Sequence, residues 1–168
     1  MRSATRQGAA KSLLALTAAD VMSAPVLTIP QDTSLREAAR QLHRSGISGA
    51  PVVGPDGCCL GVLSSSDFVT WAEKGGKEGK EVSFIAPWGE IVNVEDAPDD
   101  AIRNYMTVQP VSVAPTTPLG DVAQMMIDAH IHRVLVVEDN RPCGILTSTD
   151  VLAAVAQAAR KEARPAGK

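Results

Sequence analysis

Apolar residues recur at helical spacing in two separate segments of the chain. In each segment they fall at positions i, i+3, i+4 and i+7, which places one apolar stripe along one face of a helix. The two stripes consist of Leu35, Ala38, Ala39 and Leu42, and of Leu119, Val122, Ala123 and Met126. Thr33 or Ser34 is placed to cap the first helix, and Ser34 can form a capping box with Glu37. Pro118, after Thr117, suits the first helical position of the second helix.

Short runs of β-type sequence accompany both stripes. They span residues 26–29, 50–53, 60–63, 134–137 and 143–146. Gly46 is expected to end the first helix in the left-handed conformation, and His130 stands at the equivalent place in the second. Hydroxyl residues after the last run of each half open a further helix. The first half of the chain is therefore predicted to be a β-α-β-β-α unit, and so is the second, in which residues 112–113 match residues 28–29 of the first strand.

The two halves repeat each other in sequence. A shift of 84 positions places Met22 on Met106 and the pair 52–53 (VV) on 136–137 (VV). After one extra residue near Cys58 the shift becomes 83, and residues 61–67 (GVLSSSD) match 144–150 (GILTSTD). Ordered matches along some 50 residues indicate a duplicated unit. A unit of about 55 residues buries too little apolar surface to be stable alone, so the two copies should pack together as one body.

The composition is that of a globular protein with an aliphatic core. Of 168 residues, 45% are hydrophobic, 21% are charged and 3% are aromatic. A net charge of −3 argues against nucleic-acid binding. No apolar stretch has the length of a membrane span, and we expect a cytoplasmic protein without a membrane partner. Cys58, Cys59 and Cys143 match neither a disulfide framework nor a metal site, so we expect reduced thiols and no bound metal.

Three segments lie outside the predicted units, which span residues 20–75 and 104–160. Residues 1–19 form an N-terminal helical arm in which Leu13, Leu14 and Leu16 can pack on the units or on a second copy of the chain. Residues 76–103 form a linker with an apolar stretch at positions 84–92, interpreted as a cover for the core or, alternatively, as a docking segment for a partner. Residues 161–168 form a flexible tail.

Each unit places hydroxyl groups and a carboxylate where its last strand turns into its last helix. The N-terminus of a helix has unpaired N–H groups and a partial positive charge, which suits an anion. An aspartate in the first turn, Asp67 or Asp150, can accept hydrogen bonds from the diol of a ribose. The same residues are also favoured helix caps, worth ~1 kcal/mol of stability without any ligand. The residues alone leave both interpretations open.

These motifs resemble the CBS-domain pair, also called the Bateman module. The resemblance rests on DVMS and NYMT before each first strand, on GAPVV and RVLVV, and above all on GVLSSSD and GILTSTD. It implies an α+β fold, in which two tandem β-α-β-β-α CBS units pack sheet to sheet with pseudo-two-fold symmetry. It also implies a homodimer formed through the helices.

The resemblance further implies that adenosine-containing ligands bind between the repeats. It assigns ribose to the two aspartates, phosphate or ribose oxygens to the hydroxyls, the base to positions beside the strands, and phosphate to a His-Arg pair found in the second copy only. The implied ligand-binding residues are Thr28, Ala50, Ser64, Ser66, Asp67, Ser112, His132, Arg133, Val134, Thr147, Thr149 and Asp150. A cleft without the His-Arg pair would be empty or would prefer a neutral adenosyl group.

The sequence favours a binding protein over an enzyme. It has no nucleophile elbow, P-loop or dinucleotide fingerprint, and the two aspartates belong to different repeats, so they are not an acid/base pair. We expect a regulatory sensor that requires no cofactor, binds AMP, ADP, ATP or an S-adenosylmethionine-like ligand, and passes its state to an unknown effector protein. The alternatives are a ligand-free structural dimerisation or scaffold module and a sensor based on the three cysteines.

Overall fold

The computed structural model describes residues 11–73 and 97–162 of the chain. The apolar stretch 84–92 of the predicted linker lies outside this part. The helices are α1 (Ala18–Val21), α2 (Leu35–Arg44), α3 (Ser65–Glu73), α4 (Leu119–Asp128) and α5 (Ser148–Glu162). The strands are β1 (Ile29–Pro30), β2 (Gly49–Val53), β3 (Cys59–Ser64), β4 (Thr107–Val108), β5 (Ser112–Val113), β6 (Arg133–Glu138) and β7 (Arg141–Thr147). Short 3-10 turns occupy Leu13–Ala15 and Ile102–Asn104.

The described strands form two sheets, one built on the hairpin of each half of the chain. The first sheet has the order β1-β2-β3-β4 and the second the order β5-β6-β7. In both sheets a parallel pair, connected through α2 or α4, is followed by an antiparallel hairpin. This arrangement confirms the predicted α+β fold of tandem β-α-β-β-α units. Within the described residues, no helix combines the length and the apolar content that crossing a bilayer requires.

Each half has its own aliphatic core beneath its sheet. The stripe of α2 is fully buried, because Leu35, Ala38, Ala39 and Leu42 face the strands and the start of α3. In α4 of the second half, Leu119, Val122 and Met126 are buried in the core, whereas Ala123, the fourth residue of the predicted stripe, is partly exposed. Phe68 closes the first core and is 1% exposed. The helical periodicity therefore identified the buried faces of both helices correctly.

The segment that precedes each repeat pairs with the sheet of the other repeat. Strand β4, which leads into the second half, pairs with β3 of the first, with Thr107 opposite Val62. Ser23, which leads into the first half, forms a bridge with Ile145 of β7, and the two residues exchange N–H···O bonds of 2.8 and 3.1 Å. Since the 84-residue shift relates Ser23 to Thr107, the exchange is reciprocal.

The exchange extends to the first turns of α2 and α4. The N–H of Leu119 donates to the carbonyl of Leu16 at 2.9 Å, and the N–H of Leu35 donates to the carbonyl of Asp100, also at 2.9 Å. Ala18 and Ile102, which the repeat relates, are both fully buried, each in the core of the other half. Each repeat therefore depends on a segment that belongs by sequence to its partner.

Several local predictions are confirmed and three are wrong in detail. Gly46 and His130 both adopt the left-handed conformation, with φ of 63° and 54°. Ser34 caps α2 and accepts from the N–H of Glu37 at 3.2 Å. The first strand is shorter than the apolar run at 26–29, because only Ile29–Pro30 has a strand partner. Pro118 is the N-cap of α4 and not its first helical residue.

The third difference concerns the N-terminal arm. Its described part forms a 3-10 turn in place of the expected helix. Leu13 and Leu16 pack on the second core, but Leu14 is 94% exposed. Leu13 faces the second core. Leu14 is the next residue of a turn only three residues long, so its side chain points away from that core. The arm packs on the second repeat and contributes α1 to it.

Candidate functional site

A cleft of about 520 Å³ lies between the two repeats. This volume is in the range of small-molecule sites in proteins. One wall comes from the beginnings of β2 and α3, and the opposite wall comes from the beginning of β6 and the chain after β4. The lining residues are Gly49, Ala50, Val62, Ser64, Ser65, Ser66, Thr107, Gln109, Pro110, Val111, Ile131, His132, Arg133, Leu135 and Ile145.

The cleft has an apolar part and a polar part. Aliphatic side chains that line it include Val62, Val111, Ile131 and Ile145. Hydroxyl groups at the start of α3 and the two basic residues at the start of β6 supply the polar part. A flat apolar ring and a polar or anionic group on one ligand would match these two parts.

Asp67 is held at the start of α3 by hydrogen bonds from the turn that joins β3 to α3, residues 64–67, which we call the hydroxyl corner of the first repeat. Its Oδ2 accepts from the backbone N–H of Ser64 at 2.7 Å and from the Ser64 hydroxyl at 3.0 Å. The hydroxyls of Ser64 and Ser66 are 2.7 Å apart. Asp67 therefore caps the helix, as the stability interpretation predicted. The three serines 64–66 lie on the wall of the cleft, whereas Asp67 is not among the lining residues.

Thr107 adds a contact to this corner that sequence reasoning missed. Its hydroxyl donates to Oδ1 of Asp67 at 3.1 Å, and Thr107 itself lines the cleft. Thr107 reaches Asp67 because β4 pairs with β3 next to the start of α3. The only signal in the sequence was the position of Thr107 in NYMT, which does not show that it faces the other repeat.

Arg133 extends from the second repeat to the first. Its Nη2 donates to the Ser48 hydroxyl at 2.9 Å, across a sequence separation of 85 residues. The N–H of Ser65 donates to the carbonyl of Ser48 at 2.9 Å, so Arg133 and the start of α3 meet at Ser48. His132, next to Arg133, is exposed on the cleft. The basic pair of the second repeat therefore faces the hydroxyl corner of the first.

The second repeat contains a matching corner. Oδ2 of Asp150 accepts from the backbone N–H of Thr147 at 2.8 Å and from its hydroxyl at 2.6 Å. The N–H of Asp150 lies 3.3 Å from the Thr147 hydroxyl, which completes a reciprocal cap. Ser23 occupies the place that Thr107 has in the first corner. Both aspartates are partly exposed.

The structure brings some of the predicted site residues together and separates others. Ala50, Ser64, Ser66, His132 and Arg133 line this cleft, and Asp67 contacts two of the lining residues, Ser64 and Thr107. The matching corner and the strand-side positions are not on its wall. These are Thr28, Ser112, Val134, Thr147, Thr149 and Asp150.

The strand-side residues that do not line the cleft differ in exposure. Thr28 precedes β1 and is partly exposed, and Ser112 opens β5 and is exposed. Val134 is 1% exposed, because its side chain packs in the second core. Sequence reasoning also missed the aliphatic wall, because the two repeats contribute its residues from separate strands.

The surroundings of Cys59 and Cys143 raise the pKa of both thiols. Burial raises the pKa of the Cys59 thiol. Burial, together with the charge of Glu138, raises the pKa of the Cys143 thiol. Since the thiolate is the reactive and metal-binding form, these pKa shifts disfavour a sensor that uses the thiols of Cys59 and Cys143. Within residues 11–73 and 97–162, no group of three or more His, Cys, Asp or Glu side chains is placed to hold a metal ion.

Comparison with known protein families gives two matches on this chain. The model of the CBS domain matches residues 18–74 and residues 102–157. Together the matches cover more than half of the chain; the first contains the complete first β-α-β-β-α unit, and the second contains the second unit up to residue 157 of α5.

Curated relatives match most of the chain. An uncharacterised protein, MJ1426 of Methanocaldococcus jannaschii, is 26% identical over 81% of this chain and 89% of its own length. The A-adding tRNA nucleotidyltransferase of Geobacter sulfurreducens is 29% identical over 89% of this chain, but the match spans 14% of that enzyme. The enzyme therefore has most of its length outside the shared region.

Solved structures share the same fold. CBSX2 in complex with AMP has a TM-score of 0.65 at 24% identity, over 84% of this chain and 96% of that one. The CBS domain pair of protein MJ0100, in complex with 5′-methylthioadenosine and S-adenosyl-L-methionine, has a TM-score of 0.63 at 26% identity. That match covers 83% of this chain and 99% of the other.

Proposed function

Because this chain belongs to the CBS domain family, we propose that it is a regulatory module that binds an adenosine-containing ligand between its two repeats. The observation that carries the proposal is the cleft of about 520 Å³, where the serines of the first repeat face the basic pair of the second. Related CBS pairs support it, since one is described with AMP and another with methylthioadenosine and S-adenosylmethionine.

The chemistry of the walls suggests how such a ligand would lie. The adenine ring fits the aliphatic part near Ile131 and Ile145, where apolar side chains can contact both of its faces. A phosphate fits the polar part, where Arg133 offers a planar guanidinium and Ser64 and Ser66 offer hydroxyl donors. A ribose between these two parts would be near the corner held by Asp67.

A ligand in this cleft would contact both repeats at once. Ser64 belongs to the first repeat and Arg133 to the second, so a bound phosphate would bridge them. A ligand shifts the equilibrium between two conformations of a protein only if it binds one of them more tightly. A ligand that bridges the two repeats meets this condition if the two conformations differ in the relative orientation of the repeats. An effector protein that recognises this orientation would complete the proposed regulatory function.

Binding is tested by isothermal titration calorimetry with adenosine, AMP, ATP and S-adenosylmethionine. We expect at least one of these ligands to bind, and we expect Arg133→Ala to weaken AMP binding about tenfold or more, because a hydrogen bond to a charged group is lost. A thermal-shift assay gives a second measurement, since a ligand at 100 times its Kd adds ~2.7 kcal/mol to the free energy of unfolding.

The matched control is Arg44→Ala, in the exposed last turn of α2. It removes the same charge outside the cleft and should leave the affinity for AMP unchanged. Equal weakening by both variants would indicate a general effect of net charge. No binding of any of the four ligands would contradict the proposal and favour a ligand-free structural dimerisation module.

A further inference from the structure

The two positions that the repeat relates at the start of β2 and β6 lie in contact with each other. The 84-residue shift places Gly49 on Arg133 and Ser48 on His132. A Cβ added to Gly49 would lie 3.2 Å from Nη1 of Arg133. Since residues related by a two-fold axis meet only near that axis, the pseudo-two-fold axis of the module passes close to this pair.

Only one side chain fits at this point. The Cβ added to Gly49 would also lie 2.9 Å from the carbonyl oxygen of Leu63 and 3.1 Å from Cβ of Ser64. Both distances are shorter than ordinary carbon contacts, so a side chain at position 49 would require the neighbouring backbone to move. The space that this leaves is where the Arg133 guanidinium lies. Gly49, which the repeat relates to Arg133, therefore leaves space for the guanidinium of Arg133 and does not contribute a second cation.

Ser48 fixes the guanidinium in this space. Its hydroxyl accepts from Nη2 of Arg133 at 2.9 Å, while its carbonyl accepts from the first N–H of α3. Arg133 is itself exposed, and an exposed arginine side chain has many rotamers in the absence of a partner. The hydrogen bond to Ser48 selects a rotamer that holds the charge beside the hydroxyls of Ser64 and Ser66.

We propose that Ser48 is a positioning residue and Gly49 a specificity-determining residue for the phosphate of the ligand. Both act through Arg133, and the inference rests on the proposed function. Ser48 orients the guanidinium and Gly49 provides the space for it at the axis. Together they place one cation at the phosphate end of the cleft. Selectivity for a phosphorylated ligand over its neutral nucleoside then depends on Ser48, although Ser48 need not touch the ligand.

The test is the ratio of the affinities for AMP and adenosine, measured by calorimetry on the full chain. Ser48→Ala should lower this ratio about threefold to tenfold, which is the loss expected for one hydrogen bond. The affinity for adenosine should stay the same. Ser48→Thr keeps a hydroxyl at this position and should restore the ratio. Ser45→Ala, on the exposed C-cap of α2, is the matched control and should change neither affinity.

A double-mutant cycle separates positioning from a direct contact. In the Arg133→Ala background, Ser48→Ala should have no further effect on the ratio, because the group that Ser48 positions is absent. An unchanged ratio in Ser48→Ala, equal losses for both ligands, or tighter binding of AMP would each overturn the proposal. If neither AMP nor adenosine binds the wild-type chain, the positioning role fails, and the proposed function fails with it only if ATP and S-adenosylmethionine do not bind either.

Discussion

Replacing Gly61 with alanine tests whether the exchanged strand β4 depends on the absence of a side chain at that position. The new Cβ would lie 2.6 Å from the carbonyl oxygen of Thr107 and 3.0 Å from Sδ of Met106. Non-bonded carbon atoms normally lie about 3.5–4.0 Å from their neighbours. Because the first of these atoms belongs to the backbone, a side-chain rotation cannot relieve the contact, and β4 must move away from β3.

The expected effect has a structural and a functional part. Overpacking a buried site typically costs about 1–3 kcal/mol, and we expect the free energy of unfolding to fall by about 2 kcal/mol. Displacement of β4 also moves Thr107, whose hydroxyl donates to Asp67 at 3.1 Å and which lines the cleft. Under the proposed function, the affinity for AMP should therefore decrease in the same variant.

Urea denaturation followed by circular dichroism measures the first part, and calorimetry with AMP measures the second. Gly120→Ala is the matched control, since a Cβ at Gly120 in α4 meets nothing within 4 Å. Alanine is the better helix former, so this control should keep or raise stability by up to about 1 kcal/mol. If Gly61→Ala is as stable as the wild type, the close packing of β4 on Gly61 is not a requirement of the fold.

Two further predictions concern the core and the N-terminal arm. Phe68→Ala should lower the free energy of unfolding by about 3–5 kcal/mol, because a fully buried ring is lost from the first core. In the same denaturation assay the control Leu152→Ala should change it by less than about 0.5 kcal/mol, because that side chain is 67% exposed. Hydrogen bonds from Lys11 and from the backbone of Thr17 lower the pKa of Asp20, so its charged form stabilises the fold above the unfolded pKa of about 4, and this contribution is lost as the pH falls through the lowered value. Asp20→Asn should therefore cost about 1 kcal/mol or less at neutral pH and nothing in strong acid; a difference from the wild type that persists in acid would contradict this reasoning.

Local sequence determined most of the secondary structure. The spacing of the apolar residues was enough to predict the buried stripe of α2, and Gly46 was enough to predict where this helix ends. Both features depend on neighbours within one or two helical turns. Local sequence predicted the ends of strands less accurately, because a strand ends where its hydrogen-bonding partner in a distant part of the chain ends. The run at 26–29 has β-type residues throughout, but β1 is limited to the residues that find a partner on β2.

Sequence repetition determined that the chain is a doubled unit, and the motif at the end of each unit identified the hydroxyl corner. The capping contacts of Ser64 with Asp67, and of Thr147 with Asp150, follow from a spacing of three residues. Such contacts could be predicted because both partners lie on the same turn of a helix.

Only the tertiary structure decided which elements of one repeat contact which elements of the other. The exchange of Ser23 and β4 between the sheets, and the contact of Arg133 with Ser48, join residues more than 40 positions apart along the chain. Periodicity and local motifs describe one element at a time and contain no information on which strand edge an element will join. The composition of the cleft follows from that pairing, because one of its walls belongs to each repeat.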